Sequence, residues 1–218
     1  MNLHNKIKSI LFTLLAFGIL QAQNQDPKAK ALLQLVNEKV NSYQNIQIDF
    51  SYVLENEFEN IRQETRGKLT IEGDKYVLEI LGIQRIFDGQ KLFTISPEDE
   101  EVTISEENFE DNNTISPSTL LNFFEEGYNY SMDIKQAKYG RNIQYIKLTP
   151  IDSESEIRYA LLGVEEKTKH VYNLIEMGEN ATKTTLTIAN FQTNITIPKS
   201  FFKFEASNYK EFYINYLD

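Results

Sequence analysis

The sequence contains no cysteine. That excludes a disulfide framework, thiol chemistry and a lipid anchor on an N-terminal cysteine. Tryptophan is absent too, and His170 is the only histidine beyond residue 22. A serine–histidine–acid device would have to be built on His170, and no Gly-x-Ser-x-Gly elbow accompanies it. His170 follows the charged turn Glu166-Lys167-Thr168, so its ring is expected to face solvent. The glycines do not cluster into a phosphate-binding loop, and no His/Asp/Glu group has the spacing of a transition-metal site. Carboxylate pairs such as Asp99 with Glu101 and Glu165 with Glu166 lie in charge-dense, loop-like stretches. General acid–base work needs one such group in an apolar pocket instead. No catalytic residue, metal or cofactor is expected, and the chain does not read as an enzyme.

Positive charge is scarce as well. There are 22 Lys and Arg against 32 Asp and Glu, a net charge of -10. Such a chain does not grip nucleic acid and is repelled by an anionic membrane surface. The acidic stretch Pro97–Asp111 reads as a solvated loop or edge strand. The one long apolar run, Ile10–Leu20, has eleven residues, whereas a membrane-crossing helix needs about 20. With Lys6 and Lys8 before it and Ala22 after it, the run reads as a signal peptide over residues 1–22, cut before Gln23. The expected location is the periplasm. Residues 23–218 suit one domain with a sizeable core.

What the chain does have is aromatic residues in alternating patterns. Twelve Phe and twelve Tyr follow residue 22, and such residues favour strands and bury large areas. Asp26-Pro27 puts a capping carboxylate before a proline at the first helical position. Leu32, Leu35, Val36, Val40 and Tyr43 then recur at helical spacing, predicting an amphipathic helix that ends near Ser42-Tyr43. From Asn45 the period becomes two. Ile46, Ile48, Phe50, Tyr52 and Leu54 alternate with polar residues. Further strands are predicted over Arg62–Ile71, Tyr76–Leu81, Gln84–Phe87, Lys91–Ile95 and Glu101–Ile104. After a break at Asn112–Pro117, a short helix is predicted over Pro117–Glu126, closed by Gly127. Strands resume over Tyr128–Lys135, Ile143–Pro150, Ile157–Glu165, His170–Gly178 and Lys183–Phe191, with a tail strand near Tyr209–Tyr216. Hairpin-length gaps imply antiparallel meanders, and about eleven strands in one sheet must curl or close.

The order of these segments resembles a known family. A helix with the strand after it (AKALLQLVNEKVNSYQNIQIDFSY) leads to GKLTIEGDKYVLEI and IFDGQKLFTISPEDEEVTI. Then come a Ser/Pro-bounded apolar helix (SPSTLLNFFEEGYNYSM), IQYIKLTP and a run of hairpins. This is similar to the periplasmic outer-membrane lipoprotein carrier family, the LolA-like proteins. The resemblance implies a mainly β fold: an unclosed antiparallel β-barrel with an N-terminal amphipathic helix and a short helical lid on its concave side. It implies a monomeric carrier that takes acylated lipoproteins from an inner-membrane ABC-type releasing complex and brings them to the outer membrane, where a receptor would accept them. The alternatives are a lipid-sensing regulatory protein of the same fold and a carrier of another apolar ligand. Enteric members carry a lid-binding Arg in the turn between the second and third strands, and Gly73 stands at that place here.

The expected binding surface is the inward side of the sheet. Candidates for the acyl-chain cavity are Ile48, Phe50, Tyr52, Leu69, Ile71, Tyr76, Leu78, Ile80 and Phe93. The lid would contribute Leu120, Leu121, Phe123 and Phe124, bulky for so short a helix.

Overall fold

The computed structural model describes residues 25–106, Phe124 and residues 127–217. The predicted signal peptide therefore lies outside the described residues, as does most of the predicted lid. One helix, α1 (Pro27–Asn41), precedes the strands. The first group of strands is β1 (Ile46–Asn56), β2 (Ile61–Glu72), β3 (Lys75–Ile80), β4 (Ile83–Phe87), β5 (Leu92–Ser96) and β6 (Glu101–Ser105). The second is β7 (Tyr128–Lys138), β8 (Arg141–Pro150), β9 (Ile157–Glu165), β10 (Val171–Gly178) and β11 (Lys183–Thr193). A short β12 (Tyr213–Tyr216) follows a 3-10 turn at Ala206–Tyr209.

All twelve strands form one sheet in the order β12-β6-β5-β4-β3-β2-β1-β11-β10-β9-β8-β7. Two meanders, β1 to β6 and β7 to β11, are joined by antiparallel pairing of β1 with β11. The sheet is not closed: β7 is one edge and β12 the other. This is the unclosed, mainly β architecture the sequence predicted, with one departure. The tail strand does not extend a meander. β12 runs parallel to β6, Tyr213 opposite Glu101 and Tyr216 opposite Ile104. A parallel partner needs a long connection, and between β6 and β12 the whole second meander intervenes.

Alternation along the strands produces two apolar faces. The inner face carries the main core, including Ile46, Ile48, Phe50, Leu69, Tyr76, Phe87, Ile146, Leu148, Leu162, Val164, Leu174 and Ile188, and α1 packs on it through Ala29, Leu33 and Val36. The outer face of β3 to β6 carries a second cluster of Val77, Ile86, Phe93, Ile95, Val102 and Ile104. The C-terminal segment covers it with Phe202, supported by Ile197, Phe201, Phe204, Tyr209, Phe212 and Ile214. Phe204 stacks on Phe93 at 4.7 Å between centroids and on Tyr209 at 5.3 Å. Strands apolar on both faces need a cover on each side, and the short β12 also shields the edge of β6.

Gly67 in β2 shows how tightly the central strands fit. A methyl group there would collide with the Phe50 ring and come within 2.8 Å of the Glu79 carbonyl oxygen. The clash involves backbone, so relaxation is costly. Gly67→Ala is expected to destabilise the fold by about 1–3 kcal/mol. Urea unfolding should show a lower midpoint with an unchanged slope.

Candidate functional site

The inner face is sealed at one end by α1, which is pinned at both of its ends. At its start, Asp26 Oδ1 accepts from the Lys28 N–H at 2.8 Å and Oδ2 from the Met132 N–H at 3.1 Å. The Asp26 N–H donates to the Tyr130 carbonyl at 3.0 Å. The N-cap thus also ties the helix to the edge strand β7. The backbone donors of Met132 and Lys28 hold the Asp26 carboxyl below its ordinary range. Just past the other end, the Tyr43 hydroxyl and His170 Nε2 share a hydrogen bond of 2.8 Å. The His170 ring stacks on Phe191 at 4.0 Å with an interplanar angle of 16°. The expectation of a solvent-facing His170 is therefore corrected: its ring is half-buried between β11 and the chain leaving α1. Burial, and then the charge of Lys39, lower its pKa. The helical face also differs from expectation. Leu33 is buried, whereas Leu35 is 45 % exposed. The inward stripe is Ala29, Leu33 and Val36, a spacing of four and three, and Leu32, Val40 and Tyr43 flank it.

Exposure changes along the inner face. Ile48 and Leu69 are sealed, each 1 % exposed. Toward the β1–β2 and β10–β11 turns the inward residues Tyr52, Leu54, Thr184 and Leu186 are only half-buried. So are Leu78 and Ile80 on β3 and Tyr128 and Tyr130 on β7. Exposure on the apolar inner face thus runs from sealed at Ile48 and Leu69 to half-buried at Tyr52 and Leu186.

The structure gathers Ile48, Phe50, Tyr52, Leu69, Ile71, Tyr76, Leu78 and Ile80 into this one inner cluster. It does not bring Phe93 there. On β5 the inward residue is Leu92, packed against the inner cluster, and Phe93 belongs to the outer one. Phe93 therefore points away from the concavity, because a strand's side chains alternate between faces. Of the predicted lid residues, Phe124 is described. It is 1 % exposed and part of the inner cluster. Leu120, Leu121 and Phe123 lie outside the described residues.

A polar side chain that the alternation argument passed over also stands on this face. Glu176 on β10 is opposite Thr184 on β11 and Ala160 on β9, and Ala160 is opposite the buried Leu148. Thr184 Oγ1 donates to Glu176 Oε2 at 3.0 Å. Burial pushes the Glu176 carboxyl up, and the Thr184 bond opposes this. Tyr52 and Tyr128 are raised by burial and next by the charge of Glu176. The signal available in the sequence was a lone carboxylate inside the otherwise apolar alternation of β10.

An open groove of about 900 Å³ has Asp49, Arg66, Lys68 and Glu79 in its walls together with the apolar Phe50, Ile80 and Leu81. Asp49, Lys68, Glu79 and Gln84 are register partners on the face opposite Ile48 and Leu69. Lys68 Nζ lies 4.0 Å from Asp49, and Gln84 donates to Glu79 at 3.2 Å. Among the described residues, no helix is long and apolar enough to cross a membrane.

A one-sheet open barrel with an apolar inner face and a docked helix defines a binding and carrier fold. The family described as outer membrane lipoprotein carrier protein LolA matches residues 41–205, and the chain belongs to that family. No curated protein matches the chain. Among solved structures, an uncharacterized conserved protein from Thermus thermophilus superposes with a TM-score of 0.60 at 8 % identity, over 87 % of this chain and 99 % of that one. LprF from Mycobacterium bovis gives a TM-score of 0.51 at 10 % identity, over 80 % of this chain and 98 % of that one. At such identities the likeness is one of fold.

Two pH effects follow. The folded-state pKa of His170 is lowered, so the unfolded chain takes up the proton first. Stability should therefore fall as pH drops below the ordinary histidine value, about 6.5. The part due to this residue should vanish in His170→Gln, read as thermal midpoints from pH 7.5 to 5. Glu176 has the opposite sign. Its folded-state pKa is raised, so its contribution is present below the ordinary carboxyl value and lost as pH rises through the folded value. Glu176→Gln should raise the thermal midpoint at pH 7.5 and match the wild type below about pH 4.

Proposed function

We propose that the chain is exported to the periplasm and ferries acylated lipoproteins from the inner to the outer membrane, with their acyl chains covered by the concave face. It would receive them from an inner-membrane ABC-type releasing complex, and a receptor at the outer membrane would accept them. The observation that carries this reading is the burial of Phe124. This side chain comes from the segment between β6 and β7, at opposite ends of the sheet, yet it sits in the inner cluster with α1 and the sheet.

Each buried acyl methylene contributes roughly 0.8 kcal/mol, so several chains amount to tens of kcal/mol. A carrier must offset most of that to let the cargo go. Cargo that displaces a side chain already occupying the concavity gains only the difference between two burials. Phe124, with Leu120, Leu121 and Phe123 beside it in sequence, is the proposed displaceable filling. No covalent step and no nucleotide is needed in the carrier. Gly73 occupies the turn where enteric relatives hold their lid with an Arg, so release of this filling would rest on apolar contact rather than on that latch.

Native purification followed by mass spectrometry should find acylated lipoprotein or lipid on the protein; recovery of none would count against the reading. Phe124→Ala weakens the competing filling, so it should bind cargo more tightly while destabilising the empty protein by about 3–5 kcal/mol. Leu121→Glu and Phe124→Glu should instead impair release of lipoprotein from spheroplasts. Wild-type release by both would sink the role of this segment.

A further inference from the structure

Glu176 is a half-buried carboxylate on the apolar inner face, in the row Leu54–Thr184–Glu176–Ala160–Leu148 that crosses from β1 to β8. Its hydrogen bond comes from the neutral Thr184 hydroxyl. Among the described residues the ion pairs of the chain involve Glu55, Glu64, Asp49 and Glu166, and none reaches Glu176. A carboxylate has about four acceptor positions, and one donor leaves most of them unfilled. A charged group taken from water without a cation beside it is costly, and the cost falls when a partner arrives. Tyr52 and Tyr128, both half-buried, pack against the same inner cluster.

We propose that Glu176 is the head-group anchor of the concave site and receives the primary ammonium of an acylated amine whose chains lie along the apolar cluster. This rests on the carrier reading and narrows its cargo. An ammonium has three donors, which a carboxylate and phenolic oxygens accept, and phenol rings attract a cation at their faces. A head group carrying negative charge alone would be repelled by Glu176, and an N-acylated head would leave its charge uncompensated. The ammonium has two sources: the free N-terminal amine of a doubly acylated lipopeptide, or the head group of phosphatidylethanolamine.

The test compares the mature wild-type protein with Glu176→Gln, each titrated with four probes in neutral detergent micelles. These are a dipalmitoyl lipopeptide with a free amine, its N-acetylated form, phosphatidylethanolamine and N-acetyl phosphatidylethanolamine. For at least one pair the wild type should prefer the free amine by about tenfold or more, as a charge-assisted bond requires. Glu176→Gln should bind both members at the level of the acetylated one, and Glu176→Asp should restore part of the preference. The pair that shows the effect identifies the source. Equal binding of free and acetylated forms by the wild type, or a preference that survives in Glu176→Gln, would overturn the anchor while leaving the carrier reading intact. Failure of all four probes to bind the wild type would overturn both.

Discussion

The pairing of β1 with β11 is the constraint on which the rest of the molecule depends. It joins two meanders from opposite ends of the chain, with Ile46 opposite Thr193 and Glu55 opposite Lys183. Each meander alone would leave an apolar inner face with nothing to cover it. Joined, they form one sheet long enough to curl around α1. The join carries a register shift between Asp49 and Phe50, and such bulges sharpen local twist and bend. Bringing together segments so far apart costs loop-closure entropy. That cost is offset by burial shared between both halves: Ile48 and Phe50 from one, Ile188 and Leu174 from the other.

The helix α1 and Phe124 both belong to the inner cluster. α1 is held at its start by two bonds to Asp26 and past its end by the Tyr43–His170 contact, with three buried side chains between. Detaching it would expose that stripe and leave polar groups on β7 without partners. Phe124 lies in the chain between β6 and β7. On the inner face Ile48 and Leu69 are sealed, whereas Tyr52, Thr184 and Glu176 are half-buried.

The same sheet solves a different problem on its outer side. The strands β3 to β6 are apolar on both faces, and Phe93 illustrates the consequence. It is large, aromatic and on a core strand, and it serves the C-terminal cover by stacking on Phe204. In a one-sheet fold with a cover on each side, hydrophobicity marks a residue as core without saying which core it belongs to.

Much of this architecture was legible from local pattern. Asp26-Pro27 marked the helix start, period-two alternation marked strands β1 to β11, and short gaps marked the hairpins, because each depends on residues adjacent in the chain. Eight of the nine proposed cavity residues share one cluster because their parity along each strand could be read directly. Leu33 and Leu35 exchanged roles because two helical stripes close in angle cannot be ranked without knowing where the sheet lies. The tertiary structure alone decided that β11 docks on β1, that β12 joins in parallel, that the C-terminal segment covers the outer face, that His170 stacks on Phe191, and that Glu176 stands on the apolar inner face. All of these are contacts between residues distant in sequence. Local periodicity states which side of an element is apolar, and only the assembled sheet states what that side meets.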